Sequence, residues 1–212
     1  MYMYLPAEVL IVYVKDLAEK RGLGDELCFR PHGEILRHDL INIINSEMVK
    51  YDALELCFKD VVGCDGLFLD ELVVKTIKEY WPNKNKLFFL SQLGQVTAEG
   101  LEMWLYGLAE KGEGRMSVMW YGKDLGLYYI VGPIEKKVKE TFDFISSHGY
   151  VTPRDVLNEG FTTDIAGAST LLRKVFNANI VLRKRDDSEG YIQHIYYLPN
   201  AQKIFYSAKS YA

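Results

Sequence analysis

Apolar positions recur along this chain at two periods, one of about 3.6 residues and one of two, and the switches between them mark out its elements. Val9, Leu10, Val12, Tyr13, Val14 and Leu17 give residues 6–21 helical spacing up to Gly22, although their β-branched content also admits a strand. Residues 26–30 predict a short strand cut off by Pro31 and Gly33. Ile35, Leu36, Leu40, Ile43, Ile44 and Met48 form the stripe of a helix over 35–49, and residues 53–58 alternate as a strand. A helix over 67–81 turns Leu67, Phe68, Leu72, Val73 and Ile77 inward, with Pro82 beyond its end. Residues 87–90 are a buried-strand run, 97–108 a helix with Thr97 as its cap, and 115–120 with 125–131 a hairpin. Strands alternating with helices up to residue 108 indicate an α/β sandwich.

The pattern changes after the Gly132-Pro133 pair. A helix is expected over 134–147. A second, over 152–159, has a cap at Thr152 and Pro153 at its first position, where a missing N–H costs nothing. Gly160 ends it. A third helix spans 162–176, with Thr162, Thr163 or Asp164 as cap and Ile165, Ala168, Leu171, Leu172 and Val175 on one face. Residues 180–185 and 191–198 are strand-like, with turn chemistry at 186–190. The segment from Ala168 through Leu171, Leu172, Arg173 and Lys174 to Ile180 and Val181 resembles the recognition helix and following strand of winged-helix transcription regulators. Asn179 stands where that family usually has Gly, a position needing the left-handed conformation that Asn tolerates. The resemblance covers the last third of the chain and implies binding to double-stranded DNA. It would turn Thr163, Gly167, Thr170 and Lys174 toward the groove, with Asp164 better explained as a cap. Arg173, Lys174, Arg183, Lys184 and Arg185 would serve phosphates. Winged helices also serve protein contact alone. A homodimer is expected, because Ala201, Ile204, Phe205 and Ala208 form an apolar stripe with nothing left to cover it.

Earlier in the chain, Leu56 to Val73 runs from strand through tight loop to helix without a gap. It is similar to the strand–loop–helix of STAS-like domains, the fold of anti-sigma-factor antagonists. It resembles more closely the STAS-like group whose helix opens with Phe-x-Asp-Glu-Leu, here Phe68-Leu-Asp-Glu-Leu72. The likeness spans residues 26–110. In the antagonists the loop carries a phosphorylatable Ser just before the helix, whereas here it reads Gly63-Cys-Asp-Gly66. Partner contact through Cys64, Asp65 and Gly66, or a purely structural role, therefore replaces a phosphorylation switch.

Charge adds a weak asymmetry. Residues 1–132 carry 14 Lys and Arg against 20 Asp and Glu, and residues 133–212 carry 11 against 9. Its direction fits a nucleic-acid-binding domain beside an acidic one. No apolar run is long enough to span a bilayer, and Glu8, Lys15 and Asp16 interrupt any N-terminal leader. Cys28, Cys57 and Cys64 lack metal-ligand spacing and fit reduced thiols in a cytoplasmic protein. Asp65, Asp70 and Glu71 could suggest a metal or acid–base cluster, but a cap at Asp65 and charges favouring the helix start explain them better. His32 and His38 do not share a helix face, and Gly22-Leu-Gly24 lacks the third glycine of a phosphate loop.

The sequence thus predicts an α/β, STAS-like sensing or docking domain over 1–132 and a winged helix-turn-helix over 133–212. It predicts a dimeric, DNA-binding transcriptional regulator without cofactor or metal. The alternative is an adaptor that binds no DNA and docks on an anti-sigma-type, kinase-like ATPase. An enzyme using Asp65, Asp70 and Glu71 ranks last, for want of a nucleophile, metal set or phosphate loop.

Overall fold

The first apolar stretch is two elements, a strand β1 (Val9–Tyr13) that runs directly into a helix α1 (Val14–Lys20). Its β-branched half pairs with a neighbouring strand, and the helix starts only where Val14, Leu17 and Ala18 can turn inward together. The computed structural model describes residues 7–80, 86–113, 116–122, 126–187 and 192–199. The described chain is mixed α/β and divides into two compact units, Val9–Pro133 and one containing everything from Ile134 onward.

In the first unit, β2 is only Glu26–Leu27, and helix α2 spans Arg30–Glu47. Pro31 therefore opens a helix rather than ending a strand, since the first turn needs no N–H from it. After a 3₁₀ turn, Met48–Lys50, come β3 (Ala53–Cys57) and β4 (Gly63–Cys64). One continuous helical stretch then combines α3 (Gly66–Leu69), a π-helical turn (Asp70–Val74) and α4 (Lys75–Tyr80). β5 (Leu87–Ser91) and α5 (Gln95–Glu110) follow, and β6 (Val118–Gly122) with β7 (Leu127–Val131) closes the unit. Helix α5 starts at Gly94 with no side-chain cap, so Thr97 lies inside its first turn instead of capping it.

The five-stranded sheet has the order β1-β3-β5-β6-β7, parallel except for the antiparallel β6–β7 pair. A separate parallel ladder joins β2 to β4. Val12, Leu54, Leu56, Phe88, Leu90 and Val118 point into one core with Leu36, Leu40, Phe68, Leu72 and Leu101 of the helices. The alternate strand positions form the other sheet face.

The second unit holds α6 (Lys136–His148), β8 (Tyr150–Val151), α7 (Pro153–Asn158), α8 (Ile165–Asn177), β9 (Leu182–Asp186) and β10 (Gln193–Tyr197). Its antiparallel sheet has the order β8-β10-β9. Thr152 and Asp155 form a reciprocal capping box at α7. Asn179 takes φ 61°, the left-handed turn expected of it. Ala168, Leu171, Leu172 and Val175 are buried, but Ile165 is half exposed. The stripe of Ala201, Ile204, Phe205 and Ala208 lies outside the described residues. No helix among the described residues is long and apolar enough to cross a membrane.

Gly132 closes the first unit with φ 101°, and a Cβ there would lie 2.7 Å from the Met116 carbonyl oxygen and 2.9 Å from Leu105 Cδ1. Gly132→Ala should therefore destabilise that unit by at least about 1–3 kcal/mol from the backbone alone. Urea denaturation followed by tryptophan fluorescence checks this, and an unchanged midpoint would refute it.

Candidate functional site

Helix α8 is held at its start by Asp164, whose Oδ1 accepts the Gly167 N–H at 2.6 Å. Gly167 is half-buried, and a Cβ on it would sit 3.4 Å from Thr162 Cβ, so this position packs the cap. Thr163 is exposed just before the cap. With one face in the core, Ala166, Ser169, Thr170, Arg173 and Asn177 line the opposite, exposed face at helical spacing. Lys174 is turned to the flank, where Nζ bonds both carboxylate oxygens of Glu135 at 3.1 and 3.3 Å.

The β9–β10 hairpin adds charge beside the end of this helix. Register places Arg183 opposite Tyr196 and Arg185 opposite His194 on one sheet face, with Lys184 opposite Ile195 on the other. The Arg183 guanidinium lies over the Phe176 ring, 4.2 Å from its centroid, and hydrogen-bonds the Tyr196 phenol. Burial raises the Tyr196 pKa, while the bond and charge of Arg183 and the charge of Arg173 pull against it. Burial also lowers the His194 pKa, and Arg183 and Arg185 add to that. Arg183 and Arg185 thus flank Tyr196 and His194 across the hairpin, the Arg173 charge reaches Tyr196, and Arg185 also approaches Asp187 at 3.8 Å. The sequence named the three arginines but not His194 or Tyr196, because only strand register brings them together.

In the first unit, residues 63–66 are tied down at every position. Gly63 and Cys64 pair with Glu26 and Leu27. Asp65 caps α3 by accepting the Phe68 N–H at 2.8 Å, and its second oxygen accepts the Phe29 N–H at 2.9 Å. That bond holds Phe29 at φ 72° as it enters α2. Gly66 leaves room for Trp104, whose Cε3 would be 3.4 Å from a Cβ. Burial, with the Asp65 charge and Cys28 nearby, pushes the Cys64 thiol up to about 12, against a hydrogen bond from Thr97. Such a thiol stays protonated and unreactive. Cys64, Asp65 and Gly66 therefore form a rigid corner.

Behind it lies an ion network that the sequence reading did not anticipate. Asp70 and Glu71, expected only to favour the helix start, are buried and fully engaged. Arg30 bonds Asp70 at 3.0 Å and Glu71 at 3.2 Å; Arg37 reaches Glu71 at 3.2 Å, and Lys75 reaches it at 2.6 Å. Trp104 Nε1 donates to Asp70 at 3.2 Å. The available signal was an acidic pair set inside an apolar run, Leu67-Phe-Leu-Asp-Glu-Leu-Val-Val74, where burial was unavoidable. Among the described residues, no group of three or more His, Cys, Asp or Glu could hold a metal ion.

Burial opposes ionisation of Glu71, but Lys75, Arg37 and Arg30 outweigh it and hold the carboxyl below its ordinary range. Because its folded value is depressed, the stability it contributes is present above the unfolded value of about 4.3 and is lost as pH falls through the folded one. Glu71→Gln should cost about 1.5–3 kcal/mol at neutral pH by removing the charged bonds that a buried carboxylate accepts from Arg30, Arg37 and Lys75. The gap to the unmodified protein should narrow below pH of about 4. Urea titrations at the two pH values test this, and a gap independent of pH would count against the network.

No family model, curated protein or solved structure matches this chain.

Proposed function

We propose that the unit from Ile134 onward is a winged helix-turn-helix that binds double-stranded DNA, with α8 as recognition helix and β9–β10 as wing. In this reading the Val9–Pro133 unit is a STAS-like sensing or docking domain, and the whole is a dimeric transcriptional regulator. One observation carries it: exposed Arg183 and Arg185 lie opposite Tyr196 and His194 on the hairpin, and exposed Arg173 lies on a helix face of small and polar side chains. Guanidinium groups match phosphate oxygens in shape and charge. Ala166, Ser169, Thr170 and Asn177 are small enough to let a helix settle into the major groove, where hydroxyl and amide groups can read base edges. Asp65 and its neighbours give the first unit a rigid corner for a protein partner.

The adaptor reading, with a kinase-like ATPase as partner, is favoured by a different observation. Lys174 is already bonded to Glu135, and Arg173 is the one charged residue among the five on the exposed face of α8. Such a face suits protein contact as well.

Fluorescence anisotropy against random and selected duplexes, at several salt concentrations, separates the two. Arg173→Ala and Arg185→Ala should each weaken binding to all sequences and reduce the salt slope by about 0.9 per lost phosphate contact. Thr170→Ala should change the preferred sequence and leave the slope nearly intact. If the unmodified protein binds no duplex even at low salt, the DNA reading fails and the adaptor reading stands.

A further inference from the structure

Helix α5 buries one face and leaves the other without cover. Ala98, Leu101, Leu105 and Leu108 lie in the core, while Val96 is 83% and Met103 76% exposed. At about 100° per residue, Val96, Met103 and Glu110 run down the middle of the outer face. Gly100 and Gly107 fall along one side of that line, and Glu99 and Glu102 along the other. A Cβ at either glycine would meet nothing within 4 Å, so the chain's own packing does not require glycine there. Glycine inside a helix is unfavourable, and its bare backbone serves the close approach of another chain. Met103 stands between these two gaps as an exposed apolar knob.

The charge on this face has one sign. Glu99, Glu102 and Glu110 are exposed, and the helix contains no Lys, Arg or His; Lys111 follows its last residue. Glu99 accepts a hydrogen bond from Gln95 Nε2, a neutral donor, at 3.0 Å. Among the described residues, none of the three carboxylates is paired with a cation. The helix macrodipole adds negative potential at the end that holds Glu110. A second copy of this helix would bring carboxylates toward carboxylates, so the charge selects an unlike, cationic partner. The corner at 63–66 uses a different side of α5, through Thr97 and Trp104.

We propose that this face docks a basic amphipathic helix of another protein. The partner's apolar stripe seats on Val96, Met103 and the two glycines, and its Lys or Arg side chains lie beside Glu99, Glu102 and Glu110. The face belongs to the Val9–Pro133 unit, and its loss would leave duplex binding through the other unit unchanged. Fluorescence anisotropy of the full chain with a labelled Leu/Lys peptide, its leucines on one helix face, tests the docking. A scrambled peptide of the same composition is the control. Saturable, salt-sensitive binding is expected for the first and at least about tenfold weaker binding for the second. Met103→Lys should weaken binding about tenfold or more. Glu99→Lys with Glu102→Lys should do the same and flatten the salt dependence. Gly100→Gln separates docking from folding. A better helix former at an exposed site should keep or raise the urea midpoint, yet it blocks close approach and should lower the affinity severalfold. No saturable binding, equal binding of the scrambled peptide, or an affinity unchanged in these variants overturns the inference. So does a fall in sedimenting mass in Met103→Lys, which would assign the face to a second copy of this chain.

Discussion

Helix α2 crosses the Gly66–Tyr80 helical stretch so closely at Gly33 that no Cβ fits: one would lie 2.7 Å from Glu71 Cβ and 2.8 Å from the Phe68 carbonyl oxygen. The rest of the first unit's polar architecture follows from that approach. Arg30 and Arg37 lie about one helical turn to either side of Gly33, and both reach Glu71 across the contact. The π-helical turn over Asp70–Val74 widens the backbone where two successive carboxylates must both find donors. Asp70 then ties in α5 through Trp104, whose ring also covers Gly66. Burying these carboxylates is costly, and the cost is offset only while every partner is in place. That dependence fixes one relative setting of α2, α3 and α5, and with it the corner at 63–66.

The second unit solves its packing differently. Phe142, Ile145, Val156, Leu172, Val175 and Ile195 fill its core, and its arginines stay at the surface. The two units therefore use similar residues to opposite ends. In the first, Arg30 and Arg37 neutralise carboxylates of their own fold. In the second, Arg183 and Arg185 lie beside a phenol and an imidazole, neither of which cancels their charge.

Local signals were legible in the sequence and distant ones were not. The Thr152–Asp155 cap, Asp164 at the start of α8, Asp65 at the start of α3 and the left-handed Asn179 all rest on neighbours within a few residues. The strand–helix junction at Tyr13–Val14 was ambiguous, because pairing with β3 some forty residues away decides which part is extended. A strand at 26–30 was expected and β2 lies within it, but β4 and β8 were missed for the same reason, being two residues long and defined only by their partners. Thr97 misled because any Thr ahead of an apolar stripe resembles a cap, while Gly94 began the helix without one. At the candidate sites, the arginines of α8 and the hairpin stood out by type. Asp70 with Trp104, and Glu71 with Arg30, are juxtaposed across 34 and 41 residues, and no periodicity carries such pairings.

Local engagement of the second unit's cations bears on what they can still bind. The Arg183 guanidinium carbon lies over the Phe176 ring, which leaves N–H groups beyond the one bonded to Tyr196. That contact restricts the side chain and so removes part of the entropy that a flexible one would lose on meeting an anion. The Arg185–Asp187 pair is 3.8 Å long between exposed groups, a contact worth little in water and readily exchanged for a phosphate. Lys174 with Glu135 is equally exposed. Burial and two arginines oppose the protonation of His194. An incoming polyanion would reverse the electrostatic part of that opposition, so proton uptake at His194 would accompany anion binding in mildly acidic solution. A neutral protein surface docking on the same face would leave the arginine charges uncompensated and bring no such uptake. The hairpin's charge arrangement thus sets apart the two partners that its shape alone would accept.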